Sequence, residues 1–231
     1  MINLNYKDIL RSTQSKESNE NAAFKIISSS AAISKWQEDK KKELTKKQLP
    51  ISWADIGVLL DDPYIVVLRD LVEFPDGHRG GYFRILNRAD LEGGQGVVVF
   101  AEMDKKYLLI HLYRHPTRRW SYEVPRGFGE LGISAVDQAK NEIFEEVGGE
   151  ISELTNLGVY YSNTGLEGNQ VQLFYAKLKS VGKPAEAEGI KSLRWVSLVE
   201  LETMIANAEI LDGFTIATYT RAKLRGLLTN N

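Results

Sequence analysis

The sequence predicts an α/β fold: a small antiparallel sheet region followed by a larger domain in which strands and helices mix. Three observations predict it. Short β-branched or apolar runs recur at YIVVLRDLVEF, VVVF, YLLIHLYRH and LFYAKL, bounded by glycine, proline or Asn/Asp turns. Among them stand stretches of helical periodicity: AVDQAKNEIFEEV, LVELETMIANAEI and ILDGFTIATYTRAKL. Pro75-Asp76-Gly77 separates two strand-like runs, as a hairpin requires.

Composition narrows the function classes. The 231 residues allow one large domain, or a small one beside a medium one. A net charge of −2 gives no general attraction to nucleic acid or to an anionic membrane. Without cysteine there is no disulfide, thiolate metal site or thiol nucleophile. No run is long and apolar enough to span a bilayer and no leader-like segment opens the chain, so a cytoplasmic protein is the expectation.

Residues 1–50 are polar and charged, and SKESNEN reads as a loop. Ala22 to Leu44 is compatible with a helix. Its basic residues Lys40, Lys41 and Lys42, followed by Lys46 and Lys47, alternate with Glu38, Asp39 and Glu43, so the run reads as a solvated face. Pro50 closes this segment. Residues 51–92 hold the predicted hairpin, with GGYFRIL as the returning strand, and 93–231 the main domain. There, Gly93-Gly94 and Gly96 lead into the buried-type strand VVVF, a turn at Met103–Lys106 follows, and YLLIHLYRH is the next strand. A loop with Arg114, Arg118 and Arg119 precedes the strand Trp120–Val124 and Pro125-Arg126-Gly127. Guanidinium pairs bidentately with phosphate oxygens, which makes Arg114 a candidate diphosphate ligand. Trp120 suits either stacking on a base or packing within the hairpin, and His111 and His115 read as structural.

Ser134 and Asp137 fit a helix start, and Gly148 fits a left-handed helix end. On that helix Val136, Ala139, Ile143 and Val147 share a core-facing stripe. Glu142, Glu145 and Glu146 lie off the stripe, at i, i+3 and i+4. Three carboxylates so close repel, and a divalent cation turns the repulsion into binding. Taken alone, the triplet also fits a solvated acidic face. Downstream, LGVYYSNTGLEGNQVQLFYAKL predicts strand, loop, strand. VGKPAEAEG is turn-rich with Glu186 and Glu188 solvated, SLRWVS is a strand, and Asp212 caps the last helix.

The stretch from Gly127 to Gly149 resembles the Nudix box, G-x5-E-x7-R-E-U-x-E-E-x-G-U, where U is aliphatic. Gly127, Glu142, Ile143, Glu145, Glu146 and Gly148 match in register, whereas Ile133, Asn141 and Gly149 replace the box's Glu, Arg and final aliphatic residue. The resemblance extends to the ADP-ribose pyrophosphatase branch. Arg114 matches that branch's Q-Y-R arginine, Glu123 and Gly127 its W-x-x-E-x-P-x-G segment, and ILDGFTIA its closing helix.

The resemblance implies a Nudix-type α/β/α sandwich with a mixed sheet. It implies Mg²⁺, with Mn²⁺ as an alternative, held by Glu142, Glu145, Glu146 and the Arg126 carbonyl. Arg114 and Glu123 would position the substrate. In the branch a loop Glu helps to activate water; its position holds Asn169, with Glu167 two residues earlier as the substitute and Asn169 left to the substrate. The implied substrate is a nucleoside diphosphate linked to X, ADP-ribose or another ADP-sugar first, split to a nucleoside monophosphate and phosphorylated X. A homodimer is also implied, because the branch often exchanges the small sheet between subunits. The three departures from the box also fit a module that binds a nucleotide without cleaving it.

Overall fold

The computed structural model describes residues 5–13 and 21–228. Nearly all of the SKESNEN loop lies outside the described residues. The chain divides into two compact units. One comprises the residues up to Leu91 together with Asn163–Asn169. The other comprises Glu92–Ser162 and the chain from Gln170 onward.

In chain order the first unit holds α1 (Tyr6–Ser12), β1 (Lys25–Ile26), α2 (Ser30–Lys46), β2 (Gly57–Asp61), β3 (Ile65–Glu73), β4 (Arg79–Asn87) and a single helical turn, α3 (Arg88–Leu91). β3 is the centre of its sheet. β4 pairs antiparallel along its whole length, closing the hairpin expected around Pro75-Asp76-Gly77. On the other edge β2 pairs with residues 66–69 and β1 with residues 72 and 73. The helix expected over 22–44 begins instead at Ser30, because Ser29 caps it and Lys25–Ile26 are drawn into the sheet beside β3. Lys40, Lys41 and Lys42 of α2 and its C-cap Lys47 form salt bridges: Lys40 and Lys47 with Glu43, Lys42 with Asp39, and Lys41 with Asp55. The face is therefore charge-balanced, as expected.

The polar N-terminal segment also supplies core. Ile9 of α1 is fully buried in a cluster with Val66, Leu68 and Leu86. The Tyr6 hydroxyl donates to the buried Asp70 at 2.8 Å, and Arg84 pairs with the same carboxylate.

The second unit is a mixed seven-stranded sheet. Its strands are β5 (Gly96–Met103), β6 (Lys106–Arg114), β7 (Arg119–Glu123), β8 (Arg126–Gly127), β9 (Glu150–Tyr160), β10 (Val171–Ser180) and β11 (Ile190–Val196). The order is β11-β6-β5-β10-β9, with β7 beside β6 and β8 beside β5. β10 runs parallel to β5 and the other pairings are antiparallel. Residues 104 and 105 both take positive φ, forming the tight turn expected at Met103–Lys106.

β5 shows why VVVF reads as apolar throughout: it is covered on both sides. Val97, Val99 and Ala101 face one apolar cluster, with Ala139, Ile143 and Val147 of α4 (Ala135–Val147). Val98 and Phe100 face the other, with Leu201 of α5 (Leu198–Ala206) and Tyr219 and Ala222 of α6 (Gly213–Leu224). Alternation along one strand thus feeds two helical layers, giving the predicted α/β/α sandwich. Among the described residues no helix is long and apolar enough to cross a membrane.

Candidate active site

Local sequence fixes α4. Ser134 caps its N-terminus, accepting from the Asp137 N–H at 3.1 Å. At the other end Gly148 takes the left-handed conformation (φ 59°). There Gly148 N–H donates to the Phe144 carbonyl and Gly149 N–H to the Ile143 carbonyl, satisfying the carbonyls that a helix end would orphan.

The stripe that α4 buries differs from the one expected. Val136 is 45 % exposed, while Gln138, Ala139, Glu142, Ile143, Glu146 and Val147 are buried. The buried stripe pairs adjacent positions one turn apart, which puts Val136 at its margin and two glutamates within it. Glu142 is 8 % exposed and Glu146 5 %, so neither lies off the buried face; Glu145 does.

Each buried carboxylate has one neutral donor. Glu146 accepts from the backbone N–H of Arg126 at 3.1 Å, and Glu142 accepts from Gln138 Nε2 at 2.7 Å. A Cβ at residue 127 would overlap the Glu142 carboxylate, so any larger residue there would displace it. Burial pushes the Glu146 carboxyl up to about 8, with the Glu142 charge adding to it. Burial also raises Glu142, against the Gln138 hydrogen bond, with the charges of Glu145, Glu188 and Glu130 contributing. Among the described residues, no three His, Asp or Glu side chains yet converge to hold a metal ion. The expected triad is two buried carboxylates with Glu145 exposed beside them.

Glu188 is a residue that sequence spacing gave no means of finding. It is solvated, as expected, but its charge reaches both Glu142 and Glu146. The chain is brought there by backbone bonds at the end of α4: Gly182 N–H to the Val147 carbonyl and Ala185 N–H to the Glu146 carbonyl, each at 2.9 Å.

A cleft of about 550 Å³ is lined by Arg114, Arg119, Trp120, Glu123, Arg126 and Asp212 among others; the α4 glutamates do not line it, and Arg126 connects the two. Glu123, 3 % exposed, accepts two hydrogen bonds from Arg114 (3.0 and 2.7 Å) and one from Arg126 (3.2 Å). Burial alone would raise the Glu123 carboxyl, but the two guanidinium groups outweigh it and hold it below the usual range. Arg126 faces both ways: its peptide N–H meets Glu146 while its side chain lines the cleft and lies 4.9 Å from the Phe214 ring centroid. Trp120 is half exposed, and His111 stacks on Tyr122.

Glu167 and Asn169 belong to the small-sheet unit, not to the unit that carries the box. Glu167 bridges to Ile85 of β4, and Asn169 is buried with its Oδ1 accepting from the Asn87 N–H at 2.6 Å. Both anchor their loop to β4.

The model of the NUDIX domain family matches residues 92–214. A search of curated protein sequences finds no significant match. Among solved structures, an ADP compounds hydrolase superposes with a TM-score of 0.61 at 20 % identity, covering 75 % of this chain and 93 % of that one, a likeness of fold. With more than half of its length matched by the family model, and with its buried glutamates on the box helix, the chain belongs to the Nudix hydrolase family.

Proposed function

We propose that the protein hydrolyses a nucleoside diphosphate linked to a second group, with ADP-ribose or another ADP-sugar as the first substrate to test, in a reaction dependent on Mg²⁺ or Mn²⁺. The observation that carries this is the pair Glu142 and Glu146: buried, one helical turn apart and, among the described residues, joined to no cationic side chain, with Arg126 linking Glu146 to a cleft that Arg114 and Arg119 also line. Hard oxygen donors with surplus negative charge suit a divalent cation. Glu142, Glu145, Glu146 and the Arg126 carbonyl would hold it, with Glu145 turning in from solvent. The cation would polarise phosphoryl oxygens and make a bound water more acidic.

The chain's own residues do the rest. Arg114, held by Glu123, presents its guanidinium to the diphosphate, and Arg126 adds a second positive charge. Water adds to one phosphorus and the bridging P–O bond breaks. The leaving phosphoryl oxygen takes the charge that the arginines neutralise. Glu167 is the candidate for the group that takes the proton from water; Glu188, solvated and with its charge acting on both buried glutamates, is the alternative. The family resemblance also supports a homodimer, which light scattering reads directly.

A second reading, nucleotide binding without cleavage, draws on the exposed Glu145 and the absence of an arginine at Asn141. Incubation with ADP-ribose and Mg²⁺ separates the two. The first reading predicts AMP and ribose 5-phosphate, lost in Glu146→Gln and reduced in whichever of Glu167→Gln and Glu188→Gln removes the base. Tight binding without AMP would support the second.

A further inference from the structure

A carboxylate that serves a cation has to be held in one orientation, and the Nudix box normally does this through its arginine. Here Asn141 stands at the arginine position and Ile133 at the position of the first glutamate. A different side chain reaches Glu142. Gln138 lies four residues earlier on α4, so the two stack along one helix face. It is only 3 % exposed, and its Nε2 donates to Glu142 Oε1 at 2.7 Å within the buried layer.

The other end of the same amide has no partner among the described residues. Gln138 Oε1 is buried and accepts no hydrogen bond from any described residue. Turning the amide over would not relieve this, because it would set Oε1 against the Glu142 oxygen, acceptor facing acceptor. A buried acceptor with no donor is costly, and such atoms in native proteins call for an occupant. Beside a carboxylate cluster suited to a hydrated cation, a metal-bound water is the donor at hand, since Mg²⁺ keeps several of its waters.

We propose that Gln138 is the positioning residue for Glu142 in this chain, a neutral amide replacing the box's charged pair, and that its Oε1 accepts a hydrogen bond from a water of the divalent cation. This rests on the metal reading above. Ligand orientation by such outer partners is a general feature of metal sites. Gln138 touches neither substrate nor reacting atoms; it acts through Glu142.

The test is Mn²⁺ binding by the substrate-free protein, read from the electron paramagnetic resonance signal of the free ion. Gln138→Leu and Gln138→Met keep a similar size and lack both polar atoms. Each is expected to raise the Mn²⁺ Kd about tenfold or more, and thermal unfolding in EDTA checks that each variant is folded. Adding Ile133→Glu and Asn141→Arg to Gln138→Leu restores the box's charged pair and is expected to recover most of the lost affinity, an effect that mere repacking would not produce. Wild-type affinity in folded Gln138→Leu and Gln138→Met overturns this inference and leaves the metal reading standing. Loss of affinity that the restored charge pair does not recover overturns the positioning role. No Mn²⁺ binding by the wild-type protein overturns both readings together.

Discussion

Glu142 and Glu146 sit four residues apart on one helix, both buried, and no ion pair joins either to a cationic side chain among the described residues. Burial disfavours the charged form of each, and their proximity compounds the effect. Such a pair burdens the metal-free protein and benefits the metal-bound one. Replacing Glu146 with Gln is therefore expected to stabilise the protein in EDTA at neutral pH by roughly 1–3 kcal/mol, because folding no longer has to bring a proton to a buried carboxyl. The same change is expected to abolish the rise in unfolding temperature that Mg²⁺ gives the wild type. Thermal unfolding with and without Mg²⁺ checks both parts, and a destabilised Glu146→Gln in EDTA would count against the account. At this scale the sequence singled out three carboxylates by their spacing and the box pattern, both of which are local. It placed two of them on the wrong face, because the apolar stripe alone does not reveal that polar side chains can be buried where Gly127 leaves room. Gln138 escaped notice for a related reason: a glutamine in a helix carries no signal until its neighbour is seen.

The elements follow local chemistry where that chemistry is strong. Ser134, Gly148 and Asp212 act as the caps the sequence predicts, and the alternation along β5 yields the two apolar layers. Ser134→Ala removes the cap hydrogen bond at the entrance to α4 and is expected to cost about 1 kcal/mol, measured by urea unfolding. Gly148→Ala forces a Cβ onto a left-handed residue packed against Gly182 and is expected to cost at least ~1 kcal/mol. The expected helix over 22–44 fails in its first part because helical propensity there is weak and pairing of Lys25–Ile26 with β3 overrides it. The turn-rich connection before β11 shows the limit of local reading. Its composition predicts an exposed turn, which it is, but only its hydrogen bonds to the end of α4 make Glu188 a neighbour of the buried pair.

Across the whole molecule, contacts of long sequence separation decide what the sequence left open. The first fifty residues read as a polar extension, yet Ile9 is core in the small-sheet unit and Tyr6 is tied to Asp70, sixty-four positions away. Tyr6→Phe leaves Asp70 with one donor fewer and is expected to destabilise the protein by roughly 1–3 kcal/mol. Limited proteolysis should then release the first residues faster than in the wild type. The loop holding Glu167 and Asn169 likewise joins the small-sheet unit, through Ile85 and Asn87. Alignment on its glycines could suggest a catalytic glutamate there, but not that the loop pairs with β4. The central claim is that the α4 glutamates and the Arg126 carbonyl form a divalent cation site. Crystals grown with Mn²⁺ test it most directly, through anomalous diffraction at the manganese edge. The account predicts a peak ligated by Glu142 and Glu146, with Glu145 turned inward. A manganese peak elsewhere on the protein, with those two carboxylates bare, would contradict it.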